Sequence, residues 1–310
     1  MKISTNQFFD RAVGQMSERQ ISLSTVQAQL AQGKKIIKPS DEPERAGALL
    51  RSRSMVDRQD RHLDSLVAAK NRLQSEEAVL KNSSNLIIRI KELALAASND
   101  SYDASNREVI AIEIDGMTEQ LLSLANARDT QENYLFSGAR VKDQPFVKDS
   151  NGRIVYMGDE TRFRIAVGDH RDINLNRSGT DVFGPLPRDT GDPDAKIPDS
   201  VSLFESLQDL TAGIRQGDHD AMNRGIGELD KMMNRLTFNI SEVGTDLSVA
   251  SMQTEVVEET QIQLKSVLSN EQDLDYAEAV ARMQKQMLAL EAAQRSFSQI
   301  SQLNLFQYIS

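Results

Sequence analysis

One long stripe of apolar residues constrains the fold more than any other feature of this chain. From Ile226 to Leu268 the stripe advances by alternating steps of three and four residues, and 11 of its 13 positions are apolar. This spacing predicts one amphipathic helix from about His219 to Ser269 with a coiled-coil seam. Such a helix is about 75 Å long, whereas a compact globule of 310 residues is about 50 Å across. The sequence therefore predicts a mainly α, elongated rod. The seam positions are Ile226, Leu229, Met233, Leu236, Ile240, Val243, Leu247, Ala250, Thr254, Val257, Gln261, Leu264 and Leu268.

Three further helices are predicted from apolar spacing. The first runs from about Glu42 to Ala97, with Asp41 as its N-cap. The second follows a polar loop and is expected to end near Ser137–Gly138, and a short third helix precedes the long stripe. A helix with one narrow apolar seam needs a partner helix to bury it. The seam residues are, in chain order, Leu66, Leu73, Leu80, Ile87 and Ala94; Ile110, Ile114, Met117, Leu121 and Leu124; and Leu203, Leu207, Leu210 and Ile214.

Both ends of the chain carry a shorter stripe of the same kind. One runs from Ala12 to Leu30 and the other from Tyr276 to Phe297, each with alternating steps of four and three residues. Each stripe fits either the buried face of a core helix or a surface for coiled-coil assembly. Assembly is favoured because the remaining positions are rich in Gln, Ser and Ala, and such helices are not stable alone in water. The first helix is expected to break near Gly33, since Pro39 and Pro43 follow.

The sequence changes character in the segment 138–199. Five of the seven prolines fall here, and Asp149–Gly152 predicts a hairpin turn between Phe146–Val147 and Ile154–Tyr156. Residues 188–200 are expected to form a solvated loop. We interpret the segment as a small β insertion. A further half-buried strand is indicated by the alternation of Phe163, Ile165 and Val167 with polar or small residues.

These patterns predict three parts. Residues 1–41 and 270–310 form terminal coiled-coil assembly segments, 42–137 and 200–269 form a helical rod, and 138–199 form an inserted β-rich domain. Charge is distributed unevenly between the two halves. Residues 34–72 hold ten basic and six acidic side chains, whereas residues 255–278 hold one basic and seven acidic ones. This asymmetry favours pairing of the early and late helices, although exposed pairs are worth only about 0 to 1 kcal/mol each.

Composition restricts the class of protein. The formal net charge is −10, there is no Cys or Trp, and aromatic residues make up 5% of the chain. The missing Cys excludes a disulfide framework and a thiolate metal site, and the acidic balance argues against nucleic acid as a partner. The opening residues lack the apolar run of a secretory signal, and no segment approaches the roughly 20 apolar residues of a membrane span. By these rules alone a cytosolic protein without membrane insertion is expected.

Catalytic and metal-binding motifs are missing from the sequence. His62, His170 and His219 show no metal-ligand spacing, and there is no phosphate-binding glycine loop or serine nucleophile elbow. The acidic cluster at 271–278 lacks the glycine and terminal glutamate of a calcium loop. Its Asp273 or Asp275 is better interpreted as the N-cap of the last helix. We therefore expect no cofactor, no metal and no enzymatic activity.

Several motifs resemble the flagellin superfamily, and within it the branch that forms the hook–filament junction. They are the helix break Gly33–Ile36 followed by Pro39–Pro43, the segment Tyr134–Gly138 before the insertion, the opening Met1–Thr5, and the ending Gln302–Ile309. The resemblance covers both ends strongly and the rod by pattern. It is weak across the β insertion.

The resemblance implies a structural adaptor rather than an enzyme. Its terminal helices are expected to be disordered in the monomer and to form an inner coiled-coil tube on assembly. The implied partners are other copies of the chain, hook-associated protein 1 on one face, flagellin on the other, and a flagellar export chaperone. The resemblance also implies type III export without a cleaved signal, which overrides the cytosolic expectation and places the protein in the extracellular part of the flagellum.

The apolar residues of the two ends are the candidate assembly interface. We expect the first group to pack against the second in the same chain and in neighbouring copies. The predicted interface residues are Phe8, Met16, Leu23, Val26, Leu30, Val280, Met283, Met287, Leu290, Phe297, Leu303, Leu305 and Phe306.

Three other functions remain open at this stage. A flagellin filament subunit would share the helical ends, although the Ile3–Thr5 opening and the Leu303–Phe306 ending argue against it. A cytoplasmic coiled-coil scaffold would account for the apolar stripes but not for the paired end motifs. A hydrolase hidden in the β insertion is disfavoured because that segment contains a single His.

Overall fold

The computed structural model describes the backbone of residues 2–40, 42–99, 101–168, 171–188 and 200–309, and the side chains of 7, 9–40, 42–99, 101–166, 172–188 and 200–299. The mainly α fold with a small β insertion is confirmed. The helices are α1 (Lys2–Gln32), α2 (Pro43–Ala97), α3 (Ala104–Ala125), α4 (Gly179–Phe183), α5 (Leu203–Gln216), α6 (His219–Gln272) and α7 (Tyr276–Ile309). The strands are β1 (Phe146–Lys148), β2 (Ile154–Tyr156), β3 (Arg164–Gly168), β4 (Arg171–Asn174), β5 (Leu186–Pro187) and β6 (Ser200–Val201).

The chain divides into two compact units. The terminal unit comprises Met1–Asp60 and Glu258–Ser310, and the central unit comprises Arg61–Val257. The long helices α2 and α6 contain 55 and 54 residues, so each is about 80 Å long. Predicted boundaries of both agree with the structure to within three residues. The predicted N-cap Asp41 lies outside the described residues.

The core of the central unit is built from the predicted apolar stripes. On α2 every seventh residue from Leu66 to Ala94 is at most 2% exposed. On α6 the buried members of the stripe are likewise seven apart, and the positions between them are half-buried. All four predicted apolar residues of α5 are at most 1% exposed. Burial at a seven-residue period is what an amphipathic helix needs to keep one face against its neighbours. The buried α6 residues are Leu229, Leu236, Val243, Ala250 and Val257.

The segment after α3 corrects one prediction. The helix expected to end near Ser137–Gly138 ends at Ala125. The side chain of Asn126 donates a hydrogen bond to the backbone carbonyl of Phe146 at 3.0 Å and accepts one from the backbone N–H of Phe146 at 2.9 Å. Asp129 then accepts hydrogen bonds from two backbone N–H groups of the next turn at 2.8 and 3.0 Å. Such side-chain partners give the backbone an alternative to the helical ladder.

The β insertion consists of short antiparallel pairs. The predicted hairpin is confirmed, with Phe146 opposite Tyr156 and a turn at residues 149–153 in which Asp149 accepts three hydrogen bonds from Asn151 and Arg153. The second predicted strand is β3, which pairs with β4. Its Ile165 is half-buried and Phe163, just before it, is 41% exposed, while the side chain of Val167 lies outside those described. Most of the predicted loop at 188–200 also lies outside the described residues.

A buried ion cluster ties this insertion to two long helices within the central unit. The guanidinium of Arg177, which follows β4, is 1% exposed. Its Nη2 lies 2.8 Å from Asp246 on α6, its Nε lies 3.5 Å from Glu242 on α6, and its Nη1 lies 3.5 Å from Glu76 on α2. Burial raises the pKa of Glu76 to about 7, against the opposing effect of Arg177 and Arg72. The cluster therefore holds a carboxyl group that ionises near neutral pH.

Glu76→Gln is expected to flatten the pH dependence of stability. Because the pKa of Glu76 is raised from 4.5 to about 7 on folding, its contribution is fully present below pH 4.5 and is lost as the pH rises through 7. The free energy of unfolding of the unmodified chain should therefore fall by up to about 3 kcal/mol between pH 4.5 and pH 8. Urea denaturation across this range measures the slope. Equal slopes for the variant and the unmodified chain would show that Glu76 is not the titrating group.

Candidate functional site

The helices α1 and α7 form an antiparallel pair, which we call the terminal pair. The rings of Phe9 and Phe297 meet edge to face with their centroids 5.4 Å apart. Further along, Gln286 Nε2 donates a hydrogen bond to Ser22 Oγ at 2.7 Å. Partner numbers rise along α1 as they fall along α7, which establishes the antiparallel direction. Residues from opposite ends of the sequence thus share one apolar seam.

A short backbone pairing fixes one end of the terminal pair. The N–H of Leu274 donates to the carbonyl of Gly33 at 3.0 Å, and the N–H of Lys35 donates to the carbonyl of Gln272 at 2.8 Å. Lys35 also reaches the carbonyl of Asn270 through its Nζ at 2.7 Å. These contacts join the break after α1 to the break before α7. They set the register of the two helices because the pairing lies immediately next to both.

Two local features position this pairing. Gly33 has a φ of 66°, a left-handed conformation that Gly adopts without steric cost. Tyr276 lies over it, since a Cβ at Gly33 would stand 2.7 Å from the hydroxyl oxygen of Tyr276. The carboxylate of Asp275 accepts the N–H of Glu278 at 3.1 Å. Asp275 is therefore the N-cap of α7. The sequence predicted either Asp273 or Asp275 for this position.

Gly33→Ala is expected to loosen the terminal pair at its backbone pairing. The left-handed conformation costs a non-glycine residue about 1–2 kcal/mol, and the new methyl group would collide with Tyr276. Hydrogen exchange at the amides of Lys35 and Leu274 should become about tenfold faster or more. The matched control is Gly14→Ala in α1, where a Cβ meets nothing within 4 Å. If the two variants exchange alike, the glycine conformation does not hold the pairing.

The predicted interface residues are only partly covered within one chain. Val26 is 5% exposed, whereas Val280 and Met287 are 38% and 49% exposed. Along α1 and α7 further large apolar side chains face outward, among them Ile21 at 65% and Leu288 at 67%. Two helices cover a narrow strip of each other, so the rest of the apolar surface needs additional partners. The half-buried predicted residues are Met16, Leu23, Leu30, Met283, Leu290 and Phe297.

An open groove runs between the two helices of the terminal pair. It encloses about 400 Å³, and Met16, Leu290 and Phe297 contribute its apolar wall. The groove brings together three of the predicted interface residues from both ends of the sequence. Its remaining lining residues are Val13, Ser17, Gln20 and Gln294.

Some interface residues lie outside the described side chains, and one was missed. The side chains of Phe8, Leu303, Leu305 and Phe306 are not among those described. The ring that meets Phe297 is that of Phe9, one residue after the predicted Phe8. The spacing of the α1 stripe indicates Phe9. Because its steps alternate between four and three residues, the seam position that precedes Ala12 is residue 9 and not residue 8.

Polar contacts near this site join early and late segments of the terminal unit. Arg53 donates to the side-chain carbonyl of Gln272 at 2.8 Å, and Lys265 lies 3.8 Å from Asp60, which also accepts a hydrogen bond from Gln261. The one ion pair among these contacts has the acidic group in the early segment and the basic group in the late one, which is the reverse of the charge asymmetry that predicted the pairing. The side chains of Lys265 and Asp60 are about half exposed, so this ion pair adds little to stability. Apolar packing is the larger contribution to the terminal pair.

The described residues were compared with two other kinds of site, metal centres and membrane-spanning helices. Among them, no group of three or more His, Cys, Asp or Glu side chains could hold a metal ion, and no described helix is long and apolar enough to cross a membrane. His62 is exposed on α2 and His219 begins α6, while His170 lies outside the described residues. The terminal pair can associate with other helices, and it is the site that the geometry singles out.

Comparison with known proteins points to the same two ends. The family model for the bacterial flagellin N-terminal helical region matches residues 3–140, and the model for the bacterial flagellin C-terminal helical region matches residues 226–309. The first range takes in α1 from its second residue, α2 and α3, and the second takes in α6 from Ile226 onward and α7. Most of the β insertion falls between them.

Curated and structural relatives are similar to this chain over nearly all of their own length. The flagellar hook-associated protein 3 of Salmonella typhimurium is 23% identical over 318 residues, which cover 99% of both chains. A putative flagellar hook-associated protein from Vibrio parahaemolyticus superposes with a TM-score of 0.65 at 17% identity, covering 75% of this chain and all of that one. FlgL from Xanthomonas campestris superposes with a TM-score of 0.62 at 17% identity, covering 71% of this chain and 99% of that one.

Proposed function

Since this chain belongs to the flagellin superfamily, we propose that it is the structural adaptor subunit of the bacterial flagellum at the junction between hook and filament. Family membership makes it a structural component of the flagellum. Its full-length similarity to a hook-associated protein of the same size supports the junction as its place. The resemblance of its two ends to the junction branch supports the same place.

The observation that carries the proposal is the incompletely covered seam of the terminal pair. Val26 and its neighbours pack inside one chain, but Met287 and Leu288 remain 49% and 67% exposed. Full burial of such a side chain contributes roughly 1.5–3 kcal/mol. Several copies that place their terminal pairs side by side would bury these residues in common. Assembly into a tube of helices therefore buries the apolar side chains of α1 and α7 that remain exposed in a single chain, and this burial stabilises the assembled state.

The proposed partners follow from the position of an adaptor. Other copies of the chain meet at the terminal helices, hook-associated protein 1 lies on the hook side, and flagellin lies on the filament side. An export chaperone binds the chain before secretion, and the mature subunit is extracellular after type III export. Ordering the terminal segments only at assembly would cost about 1–2 kcal/mol per residue in backbone entropy, which the shared burial must offset. The proposal includes no enzymatic activity.

Deletion of the gene distinguishes this function from that of a filament subunit. Without the adaptor, flagellin has no platform and should appear as soluble protein in the culture medium, with hooks that carry no filament. If the chain were instead a filament subunit, its deletion would leave hooks with a complete junction and no filament, and no flagellin would leak into the medium. Flagellin in the medium supports the adaptor. A normal filament count with no leaked flagellin would contradict it.

A further inference from the structure

Residues 176–178, between β4 and α4, form a fully buried segment at the base of the β insertion. Each of the three is at most 1% exposed. The side chain of Asn176 accepts a hydrogen bond from the N–H of Phe163 at 2.7 Å and donates one to the carbonyl of Thr161 at 3.0 Å, just before β3. Ser178 Oγ accepts the N–H of Asp181 at 3.2 Å and so caps α4. We call residues 176–178 the basal segment, because it joins β3 to α4.

The charges around the middle residue of the basal segment, Arg177, are balanced without Glu76. Two arginines and three carboxylates other than that of Glu76 belong to the cluster. Both positive charges are therefore already matched, and an ionised Glu76 would add a surplus negative charge in a place with little access to water. The arginines are Arg72 and Arg177, and the carboxylates are those of Asp129, Glu242 and Asp246.

Glu76 is the most enclosed carboxyl group of this cluster. Its side chain is 1% exposed, whereas those of Glu242 and Asp246 are 35% and 16% exposed. Neither of its oxygens has a hydrogen-bond partner among the described residues. Its nearest cation, Arg177 Nη1, lies at 3.5 Å, beyond the roughly 2.7–2.9 Å of a charge-assisted hydrogen bond. Glu242 and Asp246 reach water as they stand, but Glu76 reaches water only if a neighbour moves.

An open groove shows where water would enter. It encloses about 480 Å³, and its wall includes Arg72 and Ser75 on α2 and Leu175, which immediately precedes the basal segment. Arg72 Nε donates to the carbonyl of Leu175 at 3.2 Å. Ser75 adjoins Glu76 in sequence, and Arg72 lies one helical turn before it. Displacement of the basal segment would therefore admit water from the groove to Glu76.

We propose that Glu76 is a pH-sensitive switch that sets how firmly the basal segment is held against α2 and α6. Below neutral pH the carboxyl group is neutral and the basal segment stays closed. Above neutral pH the group ionises, and the surplus charge favours an open state in which the basal segment has moved and Glu76 is hydrated. The switch operates within one chain, so it goes beyond the proposed function and does not depend on it.

The size and sign of the effect follow from the two states of Glu76. A carboxyl group whose pKa is raised in the closed state stabilises that state at low pH, and this effect is lost as the pH rises through the raised value. The pKa of Glu76 is about 7 when it is buried, against an ordinary value of 4.5. The equilibrium constant for opening should therefore rise about tenfold between pH 6 and pH 8.

Hydrogen exchange of the full-length chain, corrected for the intrinsic pH dependence of amide exchange, measures this opening. The reporters are the amides of Leu175 and Gly179, which flank the basal segment and donate to the carbonyls of Phe163 and Phe136 at 2.8 Å each. Their corrected exchange should become about tenfold faster from pH 6 to pH 8. The internal reference is the amide of Asp149 at the tip of the β1–β2 hairpin, which should not change.

Glu76→Gln should remove the pH dependence at both reporter amides, because it replaces the titrating group by a neutral one of the same shape. The matched control is Glu77→Gln. Glu77 is the next residue on α2 and pairs with Lys81 at 2.8 Å on a more exposed side of the helix, so its replacement should leave the tenfold rise intact. The carbon-13 resonance of the Glu76 carboxyl group gives its titration directly in the unmodified chain, and a midpoint near pH 7 is expected.

Three results would overturn the switch. They are unchanged exchange at Leu175 and Gly179 between pH 6 and pH 8, the same tenfold rise in Glu76→Gln as in the unmodified chain, and an equal rise at Asp149, which would mean that the insertion opens as a whole. Each of these leaves the adaptor function standing, since that function is decided by the fate of flagellin after gene deletion.

Discussion

Replacement of Arg177 by Met is expected to destabilise the central unit by about 3–5 kcal/mol. Arg177 is fully buried and is the common partner of Glu76, Glu242 and Asp246. Removal of one member of a buried ion cluster leaves the others without their compensating charge. Urea denaturation monitored by circular dichroism measures the loss.

The control for this variant is Arg215→Met. Arg215 also binds two carboxylates, but it is 37% exposed at the side chain, so its replacement should cost no more than about 1 kcal/mol. Combining Arg177→Met with Glu76→Gln should recover part of the loss, since the second change removes a buried carboxyl group that has lost its partner. Equal losses for Arg177→Met and Arg215→Met would refute the structural role of the buried cluster.

Placing Asp at both Leu23 and Leu290 is expected to abolish assembly while the central unit stays folded. Both side chains are half-buried in the terminal pair, and each contributes roughly 1.5 kcal/mol or more to the shared seam. Loss of two such contributions lowers the affinity between subunits at least about a hundredfold. Motility and the amount of this chain in purified hook fractions measure the effect.

The matched control places Asp at Gln27 and Gln284. These positions lie on the same two helices, are exposed and are already polar, so the control carries the same added charge without entering the seam. It should assemble and swim normally. Normal motility in the Leu23→Asp, Leu290→Asp variant would mean that the predicted seam residues do not drive assembly.

Helix positions were predictable where one periodic signal dominated. The seam of α6 keeps its alternation of three and four for 43 residues, from Ile226 to Leu268, and its members are buried or half-buried throughout. A periodic pattern of this length outweighs local helix propensity, because each turn places its apolar residues on the same face of the helix. The family resemblance at both ends depended on short motifs and was confirmed by the family models.

The remaining features depend on contacts between residues that are distant in sequence. The end of α3 is set by the hydrogen bonds of Asn126 with Phe146, twenty residues later, whereas no proline or glycine interrupts the sequence between Ala125 and Ser137. Arg177 appears in the sequence as one more polar residue in a loop, and only the fold encloses it.

The most direct test of the account locates the chain in flagella that have been sheared from cells. The filament is depolymerised by mild acid or heat, and antibodies against this chain are applied to the remaining hooks and to the intact filament. Labelling confined to the far end of the hook is the predicted result. Labelling along the whole filament, or recovery of the chain only from the cytoplasm, would contradict the adaptor function.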